Sequence, residues 1–99
     1  MQQGTSYTVD VGATDAAVGP SGKRIRVYQM TVTSDGTAGV SILRNGTTTG
    51  GTAWVNPTNT INKSVTTLFG QEGMLFPAGC FADVDAHCIA TVITYSVEQ

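Results

Sequence analysis

The strongest constraint on the fold is an alternation of apolar and polar side chains that turn residues interrupt every few positions. Successive side chains of a β-strand point to opposite faces, so this period is typical of strands with one buried face. No stretch sustains apolar residues at helical spacing, and threonine, valine and glycine are poor helix formers. The sequence therefore predicts an all-β protein.

Turn signals divide the chain into short strands. Asn45 and Gly46 form the clearest signal, because both central residues of a type I′ hairpin turn have positive φ. The predicted strands are residues 6–11, 23–34, 40–44, 52–55, 60–69, 74–76, 80–85 and 88–97. This number and spacing favour a single eight-stranded, jelly-roll-like antiparallel β-sandwich. The Cys-Trp-Cys order of an immunoglobulin domain is missing, since Trp54 precedes both cysteines.

Three predicted strands carry expectations about which side chains face the core. In residues 23–34 the apolar phase shifts by one residue, which predicts a β-bulge near Val27 and Tyr28 or a strand covered on both faces. The strand at 60–69 places one set of side chains on one face: Ile61, Val65 and Phe69. The last strand does the same with a longer set: Ile89, Thr91, Ile93, Tyr95 and Val97.

The composition restricts the class of partner. Charged residues make up 12% of the chain, against about 25% in an average soluble domain, and there are 16 threonines. A partner can cover such a hydroxyl-rich surface with little charge desolvation. The net charge of −2 disfavours a nucleic-acid-binding domain and a polybasic membrane module. Neither a signal peptide nor an apolar run of the ~20 residues that a membrane helix needs is visible.

The length of 99 residues fits one domain. We expect an N-terminal arm at residues 1–5, able to add a strand to a neighbour's sheet, and a β-sandwich domain at residues 6–99. Cys80 and Cys88 are the two cysteines. Both are expected as buried, reduced thiols, and the alternative is one disulfide between them.

Residues with reactive side chains are few. His87 is the single histidine and stands next to Cys88, so a small hydrolase using this pair is one hypothesis. Adjacent strand residues point to opposite faces, however, which disfavours it. Asp83 and Asp85 share a predicted strand face and could begin a calcium site, although calcium needs six or more oxygens. We expect a solvated strand face there, and no catalytic, cofactor or metal site.

Four residues are the candidates for a partner interface. Lys23, Arg24 and Arg26 are three of the five basic residues and lie within a stretch of four positions. They are either a contact for acidic groups of a partner or a charged edge that prevents aggregation. Trp54, at a predicted strand end, either anchors an interface, stacks on a sugar, or caps the open end of the core.

The order of turns and strands resembles the small β-sandwich structural proteins of tailed bacteriophages. The stretch "GPSGKRIRVYQMTVTSDGTAGVSILRNG" is similar to the family's opening: a Gly-Pro turn, a long strand, a Ser/Thr-Gly turn and a short strand ending in Asn-Gly. The stretch "MLFPAGCFADVDAHCIATVITY" is similar to its closing half, with a Pro-x-Gly turn and two final strands.

The resemblance implies a capsid decoration, or cement, protein. Such proteins are often homotrimers that assemble in the host cytoplasm, bind the outside of the head and stabilise contacts between major capsid protein subunits. The family has no catalytic residues to carry over, and the adjacent His87 and Cys88 depart from its pattern. The alternative is a carbohydrate-binding or structural module of a phage tail or head fibre, with Trp54 and Tyr28 or Tyr95 as stacking platforms.

Overall fold

A computed structural model describes residues 6–12, 14–35, 39–55, 58–59, 64–85 and 87–98. Within these residues the chain forms ten β-strands and no helix. The strands are β1 (Tyr7–Asp10), β2 (Ala16–Val18), β3 (Arg24–Ser34), β4 (Gly39–Asn45), β5 (Thr52–Val55), β6 (Thr58–Asn59), β7 (Ser64–Leu68), β8 (Met74–Phe76), β9 (Cys80–Val84) and β10 (Cys88–Glu98).

The strands form two antiparallel sheets, as expected for a β-sandwich. The first sheet has the order β1-β10-β3-β7, and β8 pairs with β3 beyond the end of β7. The second sheet has the order β2-β9-β4-β5, and β6 pairs with the start of β4. Strands β2 and β6 were not predicted, because both are short and lie in stretches that are rich in turn residues.

The predicted bulge in β3 is confirmed. Gln29 pairs with Thr94 of β10, but the next pair is Val27 with Tyr95, which leaves Tyr28 as an extra residue. Because of this extra residue, the apolar side chains before and after the bulge both point into the core, although they are out of phase in the sequence. The buried side chains of β3 are Ile25, Val27, Met30, Val32 and Ser34.

Ile89 was assigned to the core face of the last strand, and this prediction was wrong. A second register shift lies between Cys88 and Ala90, so Ile89 is the extra residue of a bulge and is 58% exposed. Cys88 takes the buried position instead. Beyond the bulge the prediction is correct, since Thr91 and Ile93 are fully buried.

The face predicted for the strand at 60–69 is only partly covered. Val65 pairs with the buried Val32, yet it remains 38% exposed because β7 is the last strand on its side of the described sheet. Phe69 packs against the core. Ile61 and the first residues of that predicted strand lie outside the described residues.

The core lies between the sheets and includes both cysteines, which are free and buried as predicted. The end of the core at Cys88 also holds hydroxyl groups. The Thr91 and Ser41 hydroxyl oxygens are 3.0 Å apart and share one hydrogen bond, and their further partners are the Gly12 carbonyl, 3.3 Å from the Thr91 oxygen, and the Cys88 sulfur, 3.4 Å from the Ser41 oxygen. These contacts join the two sheets through buried polar groups.

Candidate functional site

The outward side of the first sheet carries paired hydroxyl groups, which we call the hydroxyl face. Its members are Thr8, Thr31, Thr33, Ser64, Thr66 and Thr94. The strand register makes three cross-strand pairs from them. The oxygen–oxygen distances are 2.8 Å for Thr31 and Thr66, 2.7 Å for Thr33 and Ser64, and 3.5 Å for Thr8 and Thr94. The alternation of each strand therefore turns a threonine-rich sequence into one ordered surface.

The strands of this face add small apolar side chains and one carboxylate. Ala90 and Val92 of β10 lie between the hydroxyl pairs, opposite Thr33 and Thr31. The carboxylate of Asp10 is occupied, because its Oδ1 accepts hydrogen bonds from the amides of Gly12 (2.9 Å) and Thr91 (3.0 Å). The six hydroxyl residues and these two apolar residues carry no charge, so a partner that covers them alone desolvates no charged side chain.

The predicted basic interface divides into two parts. Lys23 and Arg24 are exposed, as a partner contact requires. Arg26 is half-buried and held within the protein. Its Nη1 donates to the Glu72 carbonyl (2.9 Å), its Nη2 donates to Glu98 Oε1 (3.4 Å), and its Nε lies 3.4 Å from Glu98 Oε2 without hydrogen-bond alignment. Arg26 therefore fastens the end of β10 to the turn before β8.

Trp54 closes one side of the sandwich. Its ring lies 5.4 Å from the ring of Phe76, which is fully buried, and the contact joins β5 of one sheet to β8 of the other. Trp54 is also 40% exposed. The ring contact with Phe76 is compatible with the core-capping interpretation, and the exposed part of the Trp54 ring leaves the interface and sugar-stacking interpretations as predictions.

His87 and Cys88 are directed apart, as their adjacency predicted. The His87 ring is exposed, with Nδ1 3.3 Å from Asp35 Oδ1, whereas the Cys88 sulfur is buried beside Ser41. The pair is therefore not arranged as nucleophile and base, because the thiol lies in the core and the imidazole in solvent.

The two aspartates that were considered as the start of a calcium site have protein partners. Asp83 Oδ2 accepts a hydrogen bond from Arg44 Nε at 2.9 Å, and Asp85 Oδ1 accepts one from the His87 amide at 2.8 Å. Asp83 is thus ion-paired rather than simply solvated, which the sequence did not indicate. No group of three or more acidic, histidine or cysteine side chains in the described part of the chain could hold a metal ion.

A groove adjoins the hydroxyl face where β7 ends. It has a volume of about 420 Å³ and is lined by Tyr28, Gln29, Leu68, Gly70 and Gln71. Tyr28 was named from the sequence as one of three candidate stacking platforms of the alternative function. Leu68 and Gln71 were missed, because a leucine and a glutamine near a turn have no distinctive local pattern.

The described residues include no helix with the length and apolar character required to cross a bilayer. Comparison of the chain with models of protein families, with characterised proteins and with solved structures found no match in any of the three. A function is therefore inferred from the residues and contacts of this chain.

Proposed function

We propose that the protein is a non-enzymatic structural protein of a phage virion. It acts as a capsid decoration protein on the outer surface of the head, where it binds the major capsid protein and stabilises contacts between its subunits. It forms a homotrimer and assembles in the host cytoplasm. The proposal joins the resemblance in the sequence to one structural observation, which is the uncharged hydroxyl face.

The same proposal includes a jelly-roll fold. The orders β1-β10-β3-β7 and β2-β9-β4-β5 match two Greek keys wound into one sandwich, which is the jelly-roll arrangement. Strands β7 and β8 both pair with β3 at different points along its length, and β5 and β6 do the same with β4. Counted in this way the ten strands occupy eight positions, which supports the eight-stranded arrangement that we propose.

The hydroxyl face has the properties that a docking surface on a capsid needs. Its hydroxyls already satisfy one another in pairs, at 2.7 and 2.8 Å in the two closest cases, so its geometry exists before a partner binds. Each hydroxyl still has capacity to donate or accept further hydrogen bonds. These neutral hydroxyl groups can be buried without the cost of desolvating charges.

Lys23 and Arg24 complete the proposed interface at the opposite end of β3. They are exposed cations, so they suit acidic groups of a capsid subunit and would act mainly on association rate and orientation. Arg26 is removed from the interface that we predicted, since its guanidinium is committed to Glu98 and the Glu72 carbonyl. The proposed arm at residues 1–5 lies outside the described residues.

The test uses expanded heads of the phage that encodes the chain. Purified protein is added to the heads, and both binding and the temperature at which they burst are measured. We expect a higher burst temperature at saturating protein. Thr66→Lys places a charge on the hydroxyl face, beside Thr31, and should abolish both effects, whereas Thr49→Lys, in the exposed hairpin turn, should retain them.

Two outcomes contradict the proposal. Saturating binding with no change in burst temperature excludes a stabilising role. Equal binding by the Thr66→Lys and Thr49→Lys variants excludes the hydroxyl face. Native mass spectrometry of the free protein tests the homotrimer, since a three-fold site on a head matches three-fold symmetry in the protein that occupies it.

A further inference from the structure

The groove beside β7 has one wall that is held rigidly. The Tyr28 hydroxyl is hydrogen-bonded to Ser96 Oγ at 2.9 Å, and the Tyr28 carbonyl accepts a hydrogen bond from the Phe69 amide at 3.0 Å. A Cβ built on Gly73 would lie 2.9 Å from the Tyr28 ring, so the backbone of the turn packs directly against that ring. The ring is thus fixed at both its hydroxyl and its edge before any ligand arrives, which reduces the entropy lost on binding.

The other side chains that line the groove are one aliphatic side chain and two primary amides. Leu68 is 70% exposed, and Gln29 and Gln71 are exposed as well. Each glutamine side chain offers two N–H donors and one carbonyl acceptor. The lining residues Tyr28, Gln29, Leu68, Gly70 and Gln71 include no charged side chain.

We propose that this groove binds a neutral saccharide. A sugar ring has an apolar side formed by its C–H groups and a rim of hydroxyls, so it matches an aromatic ring and a leucine flanked by primary amides. The absence of charge among the lining residues that the structure describes argues for uncharged sugars over phosphorylated or acidic ones. The volume of about 420 Å³ lies within the usual range for small-ligand sites.

The other aromatic residues considered as sugar platforms each contact a second aromatic ring. Trp54 lies against Phe76 with a ring separation of 5.4 Å, and Tyr95 lies 5.5 Å from Tyr7. Tyr28 has a glycine backbone as its neighbour and lines an open groove. This inference does not depend on the capsid role, because it concerns a different set of residues and a different ligand.

The test is a titration of isotope-labelled protein followed by amide NMR. The probes are neutral oligosaccharides of glucose, galactose, mannose and N-acetylglucosamine at millimolar concentration, with an oligogalacturonate as the acidic comparator. We expect one neutral series to shift the backbone amides at Gln29, Leu68 and Gln71 and the side-chain NH₂ signals of both glutamines. No shift there with any neutral probe overturns the inference, as does a response that is confined to residues around Trp54 or equal for the acidic probe.

Variants then tie the response to the groove. Leu68→Ala and Gln71→Ala change exposed side chains and should leave the fold intact, while each weakens binding by about tenfold or somewhat less. Ile89→Ala is the matched control for Leu68→Ala, since Ile89 is also an exposed aliphatic side chain, 58% exposed, but lies outside the groove. Wild-type affinity in both groove variants overturns the inference. Head binding by the same two variants reports separately on the capsid role.

Discussion

Two pairs of threonine and serine lie on opposite sides of the first sheet. Thr91 of β10 points inward and meets Ser41 of the second sheet at 3.0 Å, and both residues are fully buried. Thr33 of β3 points outward and meets Ser64 of β7 at 2.7 Å, in contact with solvent. The residue types are identical, and the oxygen–oxygen distance is shorter in the exposed pair. The buried pair should nevertheless contribute more to the stability of the fold.

The two pairs differ in what can replace the lost hydrogen bond when one hydroxyl of the pair is removed by mutation. Outside, water takes the vacant position at once, so the net contribution is small. Inside, a remaining hydroxyl has no water and bears the cost of its own desolvation. The hydroxyls of the outer face can therefore exchange their partners for those of a bound protein, whereas the inner hydroxyls fix how the two sheets face each other.

The largest loss of stability should come from the end of the core that has no hydroxyl cluster. Phe76 is fully buried, pairs with Ile25 and supports the Trp54 ring. Phe76→Ala should lower the free energy of unfolding by about 3–5 kcal/mol, because it leaves a cavity. Urea unfolding followed by circular dichroism measures this, with Leu68→Ala as the exposed control. A loss below about 1 kcal/mol would show that this end of the core is not closely packed.

The buried pair comes next in magnitude. Thr91→Val should cost about 1–3 kcal/mol, because it removes the bonds to Ser41 and the Gly12 carbonyl and leaves buried groups without them. Adding Ser41→Ala should cost less than the sum of the single losses, since both members of the pair are then gone. A double-mutant cycle by urea unfolding gives the coupling. Strictly additive losses would mean that the hydroxyls do not act as a pair.

The apolar part of this comparison could be predicted from the sequence, and the polar part could not. Alternation placed Ile25, Val27 and Ile93 on the core face, and the phase shift located the bulge at Tyr28. Ser41 has the same local pattern as a surface serine, so its burial depends on a sheet formed elsewhere in the chain. A hydrogen-bonded hydroxyl has a low free-energy cost whether it is buried or exposed. The local sequence therefore does not indicate which hydroxyl groups are buried.

The same limit explains the outcome for the candidate sites. Arg26 was grouped with Lys23 and Arg24 by proximity in the chain, but its carboxylate partner Glu98 is 72 positions away and is brought close only by the pairing of β3 with β10. Ile89 was assigned to the wrong face because the bulge at the start of β10 does not interrupt the apparent alternation of residue types in the sequence. The threonine content predicted a neutral surface. Which hydroxyls form pairs could be known only from the register between neighbouring strands.

The burial of Cys80 predicts how the stability of the protein depends on pH. Cys80 lies among apolar groups, and burial raises the pKa of its thiol from 9.0 to about 12. Between these values the unfolded chain loses a proton that the folded protein keeps, so the free energy of unfolding falls as pH rises, by up to about 1.4 kcal/mol per pH unit. Below pH 9 the group adds no pH dependence. Urea unfolding across this range should show a steeper decline for the wild type than for Cys80→Ala, and equal slopes would contradict the assignment.

The smallest effect should be at the exposed pair, and it is the sharpest test of the comparison. Thr33→Val together with Ser64→Ala removes the 2.7 Å hydrogen bond between β3 and β7. The free energy of unfolding should change by about 0.5 kcal/mol or less in either direction, because water replaces the lost partner and valine favours strands. The same substitutions should weaken head binding, since they take two hydroxyls from the proposed docking surface. A stability loss as large as that of the Thr91→Val and Ser41→Ala pair would show that burial does not separate the two sides of the sheet, and the outer hydroxyls would then be structural groups like the inner ones.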